Sequence, residues 1–359
     1  MTVIPQIEPY FTSAEKQAVT EYLDSGGWLT EHRATRELEQ LVQVMLSVDR
    51  AIAVPNGTIG LYLALCMALP QNRQCRVAVP AYTMIATVNA VLWAGHAPVL
   101  IDIDSSTGCM SLEDLQSKND IDAVLYVAIN GRTGNMFDLV DHCKNKNIVL
   151  LEDACQAFVS TYQYKACGTF GKVGVFSMSP HKIITTGQGG IIVTNDYMTY
   201  LEIKRLKDFG RVKSGVDLHS HFGLNFKFTD LQAIIGIQQL NIISYRITRK
   251  LKIFNDYVAA LPKGMQILPL AEGNIPWFID VLCENTEMRD SLVQYLTAQN
   301  IGTRNFYPVL TEQESLKGLA TSDFPNATKF SATGVWLPSS IGLTDMQLDY
   351  IFLALNSFK

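Results

Sequence analysis

Charge of either sign is scarce in this chain and never clustered: Asp, Glu, Lys and Arg make up 18% of its 359 residues, and the formal net charge at pH 7 is -5. A surface without a block of like charge gives a phosphate backbone nothing to lie along, so neither DNA nor RNA is an expected partner. Cysteine is present but unorganised. The seven residues, at 66, 75, 109, 143, 155, 167 and 283, are an odd number with no C-x-x-C spacing, which argues against a disulfide framework or structural zinc and fits a reducing cytoplasm. His181, His219 and His221 have no i, i+4 spacing either, and no metal site is expected. Long apolar runs are also lacking. Ala123 to Ile129 and Ile148 to Leu151 are of strand length, far below the roughly 20 residues that span a bilayer. The N-terminus, MTVIPQIEPYFTSAEKQ, has no basic segment leading into an apolar one, so the expectation is a soluble cytoplasmic protein with no signal peptide and no membrane partner.

What the chain does have is hydrophobic material, 48% of the residues, enough for one large domain and a smaller one. From about residue 50 short apolar runs alternate with longer amphipathic stretches, the pattern of parallel strands covered by crossover helices. Strands are predicted at Ala51 to Val54, Arg76 to Val79, Pro98 to Ile101, Ala123 to Ala128, Ile148 to Glu152, Val173 to Ser177 and Gly190 to Thr194. Helices are predicted at 58 to 69, 84 to 94, 111 to 117 and 136 to 145. The fold class is therefore α/β, with a mostly parallel central sheet flanked by helices. Beyond it, one continuous helix is expected to join residues 1–245 to a smaller α+β domain, 246–359, with strands at Met265 to Leu268 and Trp277 to Cys283 and helices near 286 to 299 and 344 to 357.

In open parallel sheets ligands gather at the carboxyl ends of strands, and the chemistry-bearing residues fall there. The strand ending LLED delivers Asp153, a carboxylate placed to pair with a protonated ring nitrogen and keep a pyridine cofactor electron-withdrawing. The strand ending in Ser177 delivers a hydroxyl. Five residues on, in a loop rich in Pro, Thr and Gly, comes Lys182, whose amine can form an imine; Gly187-Gln188-Gly189-Gly190 then lets the backbone turn tightly. Upstream, Asn56-Gly57-Thr58 stands where a strand gives way to a helix, an anion site suited to a phosphate.

In order and spacing these parts resemble the DegT/DnrJ/EryC1/StrS family of sugar aminotransferases, fold-type I enzymes. The likeness runs from SGGWLTEHRATRELE through VPNGTIGLYLAL, VPAYTMIATVNAVLWAGHAPVLIDID, LEDACQAF and FSMSPHKIITTGQGG to GLNFKFTDLQAIIGIQQL and WLPSSIGLT. The resemblance implies pyridoxal 5'-phosphate as cofactor, with pyridoxamine 5'-phosphate as its intermediate form, and Lys182 as Schiff-base lysine and proton shuttle. It implies Asp153 at the pyridine nitrogen, Gln156 near the phenolic oxygen, Gly57, Thr58 and Ser177 around the phosphate, and Asn225 reaching the phosphate from a second subunit of a homodimer. Some relatives carry histidine in place of the lysine and are dehydratases. Here His181 and Lys182 stand side by side, and Lys182, the fifth residue after Ser177, occupies the family position, which favours transamination.

The chain departs from the family pattern in places. Met84 replaces an aromatic ring against the cofactor, its polarizable thioether suited to a ring face. Gln188 stands for the commoner Glu, Lys227 for Arg, and the block Val127 to Gly131 reads V-A-I-N-G without a histidine. Trp28, Glu31, Tyr82, His181, Arg304 and Tyr307 are candidate contacts for the acceptor. Blander roles compete: a solvated surface position for Lys182, a helix cap for Asp153, an inert filler for Cys155, a core or interface aromatic for Trp28, a surface ion-pair partner for Arg304. The expected reaction moves an amino group from an amino acid, L-glutamate by resemblance, to the keto group of a nucleotide-linked sugar, a 4-keto-6-deoxyhexose, for amino sugars of surface polysaccharide such as O-antigen or of a glycosylated metabolite. The alternatives are a 3-keto sugar aminotransferase, a pyridoxamine-phosphate-dependent dehydratase and a non-catalytic regulatory relative.

Overall fold

The computed structural model describes residues 3–213, 215–319 and 323–358. Two helices that the periodicity did not announce come first, α1 (Ser13–Asp24), closed by a capping box between Thr12 and Glu15, and α2 (Arg33–Leu46). Then strand and helix alternate: β1 (Arg50–Val54), α3 (Gly57–Ala68), β2 (Arg76–Pro80), α4 (Ala86–Trp93), β3 (Ala97–Ile101), α5 (Leu112–Ser117), β4 (Ala123–Val127), α6 (Met136–Asn145) and β5 (Val149–Asp153). A small hairpin, β6 (Thr161–Tyr162) and β7 (Lys165–Ala166), precedes β8 (Val173–Ser177), β9 (Gly190–Thr194) and α7 (Tyr197–Lys207).

Seven of these strands form one sheet in the order β1-β9-β8-β5-β4-β2-β3. The pairs among β2, β3, β4, β5 and β8 are parallel, whereas β9 runs antiparallel to both β8 and β1. Side chains alternate between two apolar layers: Ile52 and Val54 of β1 enter one core while Ala51 and Ala53 enter the other, and Ile192 faces away from Ile191 and Val193 on β9. A sheet buried on both faces explains strands that read as unbroken apolar runs. Its parallel strands put Asp153 and Ser177 at one edge. Gly190, paired with both Ser177 and Val54, brings the turn after β1 to the same edge.

The C-terminal part holds α8 (Asp230–Asn241), α9 (Ile243–Ala260), β10 (Met265–Ile267), β11 (Ile279–Cys283), α10 (Thr286–Ala298), β12 (Arg304–Asn305), α11 (Pro325–Thr333), β13 (Gly334–Leu337) and α12 (Asp345–Ser357). Its antiparallel sheet has the order β10-β11-β13-β12. The single helix expected to run into this part is two. At Ile242 the backbone leaves helical geometry, with φ -112° and ψ 20°, because the two halves serve different cores. Ala233, Ile237 and Leu240 of α8 pack under the large sheet, while Ile253, Phe254 and Tyr257 of α9 pack on the small one.

The loop after β4 joins the sheets. Asn130, at φ 49°, donates its amide to the carbonyl of Phe278 at 3.0 Å and accepts that residue's N–H at 2.6 Å. Arg132 forms a two-pronged, buried ion pair with Asp280 on β11, and donates to the carbonyl of Leu268 at 3.0 Å. These contacts hold the start of β11, with Trp277, against the carboxyl edge of the large sheet.

Candidate active site

Where β1 turns into α3, the Asn56 side chain accepts the Ile59 N–H at 2.9 Å, which caps the helix and leaves the N–H groups of its first turn facing outward. Gly57 is required by packing. A Cβ there would lie 2.7 Å from the Cys155 sulfur and 3.2 Å from Cβ of Ser177, and one on Gly190 would lie 2.7 Å from the backbone carbon of Asn56. Only glycines let the three segments close to one another. Their meeting point is the floor of a cavity of about 410 Å³ that also exposes Asp153, Gln156, His181 and Lys182.

Asp153 is buried at the end of β5. Its carboxylate accepts the Thr87 hydroxyl at 2.7 Å and the Cys155 N–H at 3.1 Å, and among the described residues no cation pairs with it. No helix begins at Ala154, so the carboxylate is not a helix cap. A buried carboxylate held by two neutral donors is suited to a cationic N–H entering from the cavity. Gln156 is oriented by its own contact, its carbonyl oxygen accepting the Asn130 N–H at 2.8 Å.

Lys182 keeps part of its surface open to the cavity, yet the protein packed round its amine lowers its pKa to about 8, the Arg304 charge helping and Cys155 and Asp153 opposing. Its Nζ stands 3.5 Å above the centroid of the Trp277 ring. Burial, with the positive charges of Lys182 and Arg304, pushes His181 down to about 4, so at neutral pH the imidazole is uncharged. Burial and Asp153 hold the Cys155 thiol well above its usual range, which leaves it a poor nucleophile although it borders the cavity. Met84, 44% exposed because α4 starts only at Ala86 and not at 84, lies on the wall with its thioether accessible. Arg304 and Tyr307 complete the rim, and burial raises the Tyr307 hydroxyl.

The parts fit a phosphorylated pyridine aldehyde: a helix start and the Ser177 hydroxyl for the phosphate, an unpaired buried carboxylate for the ring nitrogen, and an amine that loses its proton near neutrality. Among the cofactor candidates Gly57, Thr58, Met84, Asp153, Gln156, Ser177 and Lys182 come together, and among the acceptor candidates so do His181, Arg304 and Tyr307. Others do not. Tyr82 is 1% exposed, its ring packed among Phe306, Tyr307 and Phe330, so it backs the wall without forming it. Glu31 is ion-paired with Lys207 and accepts the Phe228 N–H at 3.0 Å, and Trp28 is 67% exposed with its indole N–H on the Thr30 hydroxyl at 3.1 Å. Both lie off the cavity of their own chain, as does Asn225, which is exposed beyond the bridge it makes to Asp208. Sequence reasoning missed Thr87, a hydroxyl in a mostly apolar helix, and Trp277, which reads as the first residue of a core strand.

The chain has known relatives over its whole length. The chain is 33% identical over 363 residues to the GDP-perosamine synthase of Escherichia coli O157:H7, with 100% of this chain and 99% of that protein covered. It is 30% identical over 366 residues to the GDP-perosamine synthase of Vibrio cholerae, with 99% of each covered. The fold superposes on Helicobacter pylori PseC, an aminotransferase involved in the biosynthesis of pseudoaminic acid, with a TM-score of 0.93 at 21% identity over 99% of both chains. Residues 9–356 match the family model itself, and the chain belongs to the DegT/DnrJ/EryC1/StrS aminotransferase family as a sugar aminotransferase that uses pyridoxal phosphate.

Proposed function

We propose that this enzyme moves an amino group from L-glutamate to the C4 keto group of a nucleotide-linked 4-keto-6-deoxyhexose, with GDP as the nucleotide, in the cytoplasm and as a homodimer. The observation that carries the reading is the convergence of Lys182, Asp153 and the start of α3 on one cavity. The sugar and its nucleotide follow the perosamine synthases, relatives over the full chain length. The seven unpaired cysteines support a reducing compartment, and no described helix is long and apolar enough to cross a membrane.

Pyridoxal phosphate, when bound, supplies an aldehyde that captures amines and a ring that withdraws electrons from the bond being broken. The protein does the rest. The N–H groups at Gly57 and Thr58 and the Ser177 hydroxyl hold the phosphate, with the positive end of α3 behind them. Asp153, steadied by Thr87 and the Cys155 amide, accepts the ring N–H and keeps that proton in place. Lys182 Nζ carries a proton off the donor's α-carbon and, in the return half, delivers one to the sugar carbon, which an amine with a pKa of about 8 can do near neutrality. His181, uncharged, is a hydrogen-bond partner for sugar hydroxyls, and Arg304 at the rim meets the anionic ends of donor and acceptor. Asn225 is exposed away from its own chain's cavity and is read as serving the partner's phosphate site.

The test is direct. Borohydride added to the pyridoxal-phosphate-loaded protein should fix the cofactor on Lys182, and GDP-4-keto-6-deoxyhexose with glutamate should yield a 4-amino sugar by mass and proton spectra. Cofactor fixed elsewhere, or a Lys182→Ala protein aminating at full rate, would end the proposal. A deoxygenated product without nitrogen would mark a dehydratase.

A further inference from the structure

We propose that the indole face of Trp277 is the resting place of the Lys182 amine whenever that amine is not bonded to cofactor, which makes Trp277 a second protein group touching the reacting nitrogen. The inference rests on Lys182 as the reacting amine. Its Nζ lies 3.5 Å from the ring centroid, well inside the distance at which an ammonium is drawn to the negative face of an indole.

The ring is held there from several directions. Its N–H donates to the carbonyl of His181 at 2.8 Å, so the platform and the loop carrying the lysine are tied together. The backbone carbonyl of Trp277 accepts from Lys250 Nζ at 2.6 Å, and the same buried amine reaches the carbonyl of Ser339 at 2.7 Å. Phe278 stacks on the indole with centroids 3.8 Å apart. A side chain fixed this firmly at a cavity wall offers a defined surface.

The need for such a surface follows from the reaction. In amino transfer the lysine is released in one half of the cycle and must return in the other, and its four-carbon stem is free to wander. The charged and titratable groups that face it are Asp153 at the end of β5 and Cys155 just after it, His181 beside it, and Arg304 and Tyr307 from β12 and beyond. Arg304 repels an ammonium. Asp153 attracts one, but an amine settled on that carboxylate would occupy the group that the cofactor's ring nitrogen needs. The indole holds the ammonium without taking any hydrogen-bonding partner from the cofactor, and its burial keeps the amine ready to lose its proton.

Ring fluorination at position 277 separates electrostatics from shape. Monofluoro- to tetrafluoro-tryptophan would be placed there in the full chain, and the pKa of Lys182 read in cofactor-free protein from the pH dependence of its acetylation by acetic anhydride, followed by peptide mass analysis. The pKa should fall stepwise with fluorine, by roughly one unit across the series, because only the charged amine is drawn to the ring. Trp277→Phe should fall part of the way. An unchanged pKa across the fluorinated series overturns the inference. Borohydride fixation of pyridoxal phosphate on Lys182 of the same proteins keeps the outcomes apart, since its loss from unsubstituted protein would sink the function proposal and not the platform alone.

Discussion

At the scale of single residues, the site depends on a missing side chain and a displaced proton. Gly57→Ala inserts a methyl 2.7 Å from the Cys155 sulfur, between it and Ser177, so the turn must back away from the phosphate position. An overpacking cost of about 1–3 kcal/mol predicts cofactor affinity lower by about fivefold or more. Equilibrium dialysis would measure it, and affinity equal to that of the unsubstituted protein would show that the cradle is roomier than drawn. The amine gives a pH test. Only the neutral form attacks an aldehyde, and a lowered pKa enlarges that form, so the rate of cofactor capture should rise with pH and level off above about 8. An ordinary lysine would be under about 1% neutral at pH 8 and would go on gaining to pH 10 and beyond. Stopped-flow absorbance across that range distinguishes the two, and a midpoint near 10 would mean that the pocket does not desolvate the amine.

At the scale of elements, the site exists because the loop after β4 is bolted to β11. The Arg132 guanidinium, 2% exposed, has Asp280 as its ion-pair partner, with carbonyls of Leu268 and Pro269 as further acceptors. Asp280→Ala leaves that cation buried and unpaired, a loss of about 3–5 kcal/mol in urea unfolding. A cost under about 1 kcal/mol would indicate that water reaches the guanidinium once the carboxylate is gone. The V-A-I-N-G block gains a meaning here. Asn130 in the left-handed region supplies both side-chain hydrogen bonds to Phe278 and the backbone N–H that orients Gln156, so this one residue ties a cavity-lining side chain to the segment that leads into β11.

At the scale of the whole molecule, a single chain leaves Asn225, Trp28 and Phe222 exposed away from its own cavity, although the first two belong to blocks that carry the family resemblance. If two chains share each site, Lys182→Ala and Asn225→Ala proteins should be individually impaired yet recover activity when unfolded and refolded together. Random pairing gives mixed dimers with one intact site each, about a quarter of all sites. Recovery well below that level, with mixed dimers verified by mass, would show that Asn225 serves its own chain or none.

The sequence by itself determined the alternation of strands and helices, the edge of the sheet on which Asp153, Ser177 and Lys182 fall, and the family to which they belong. Those properties are local: apolar runs of strand length, and a motif whose spacing along the chain is also its spacing across neighbouring strands. Tertiary structure decided what lies opposite. The break at Ile242 reflects two cores that one straight helix cannot serve, and Tyr82 proved to back the wall because three other aromatic rings enclose it. Thr87 and Trp277 come to the site across 66 residues and 95 residues of chain from Asp153 and Lys182, the latter separation being 277 less 182, and no periodicity records so distant a meeting. Packing between elements fixes such contacts, and it is set by the shapes of side chains in three dimensions, which a linear pattern of apolar and polar residues does not contain.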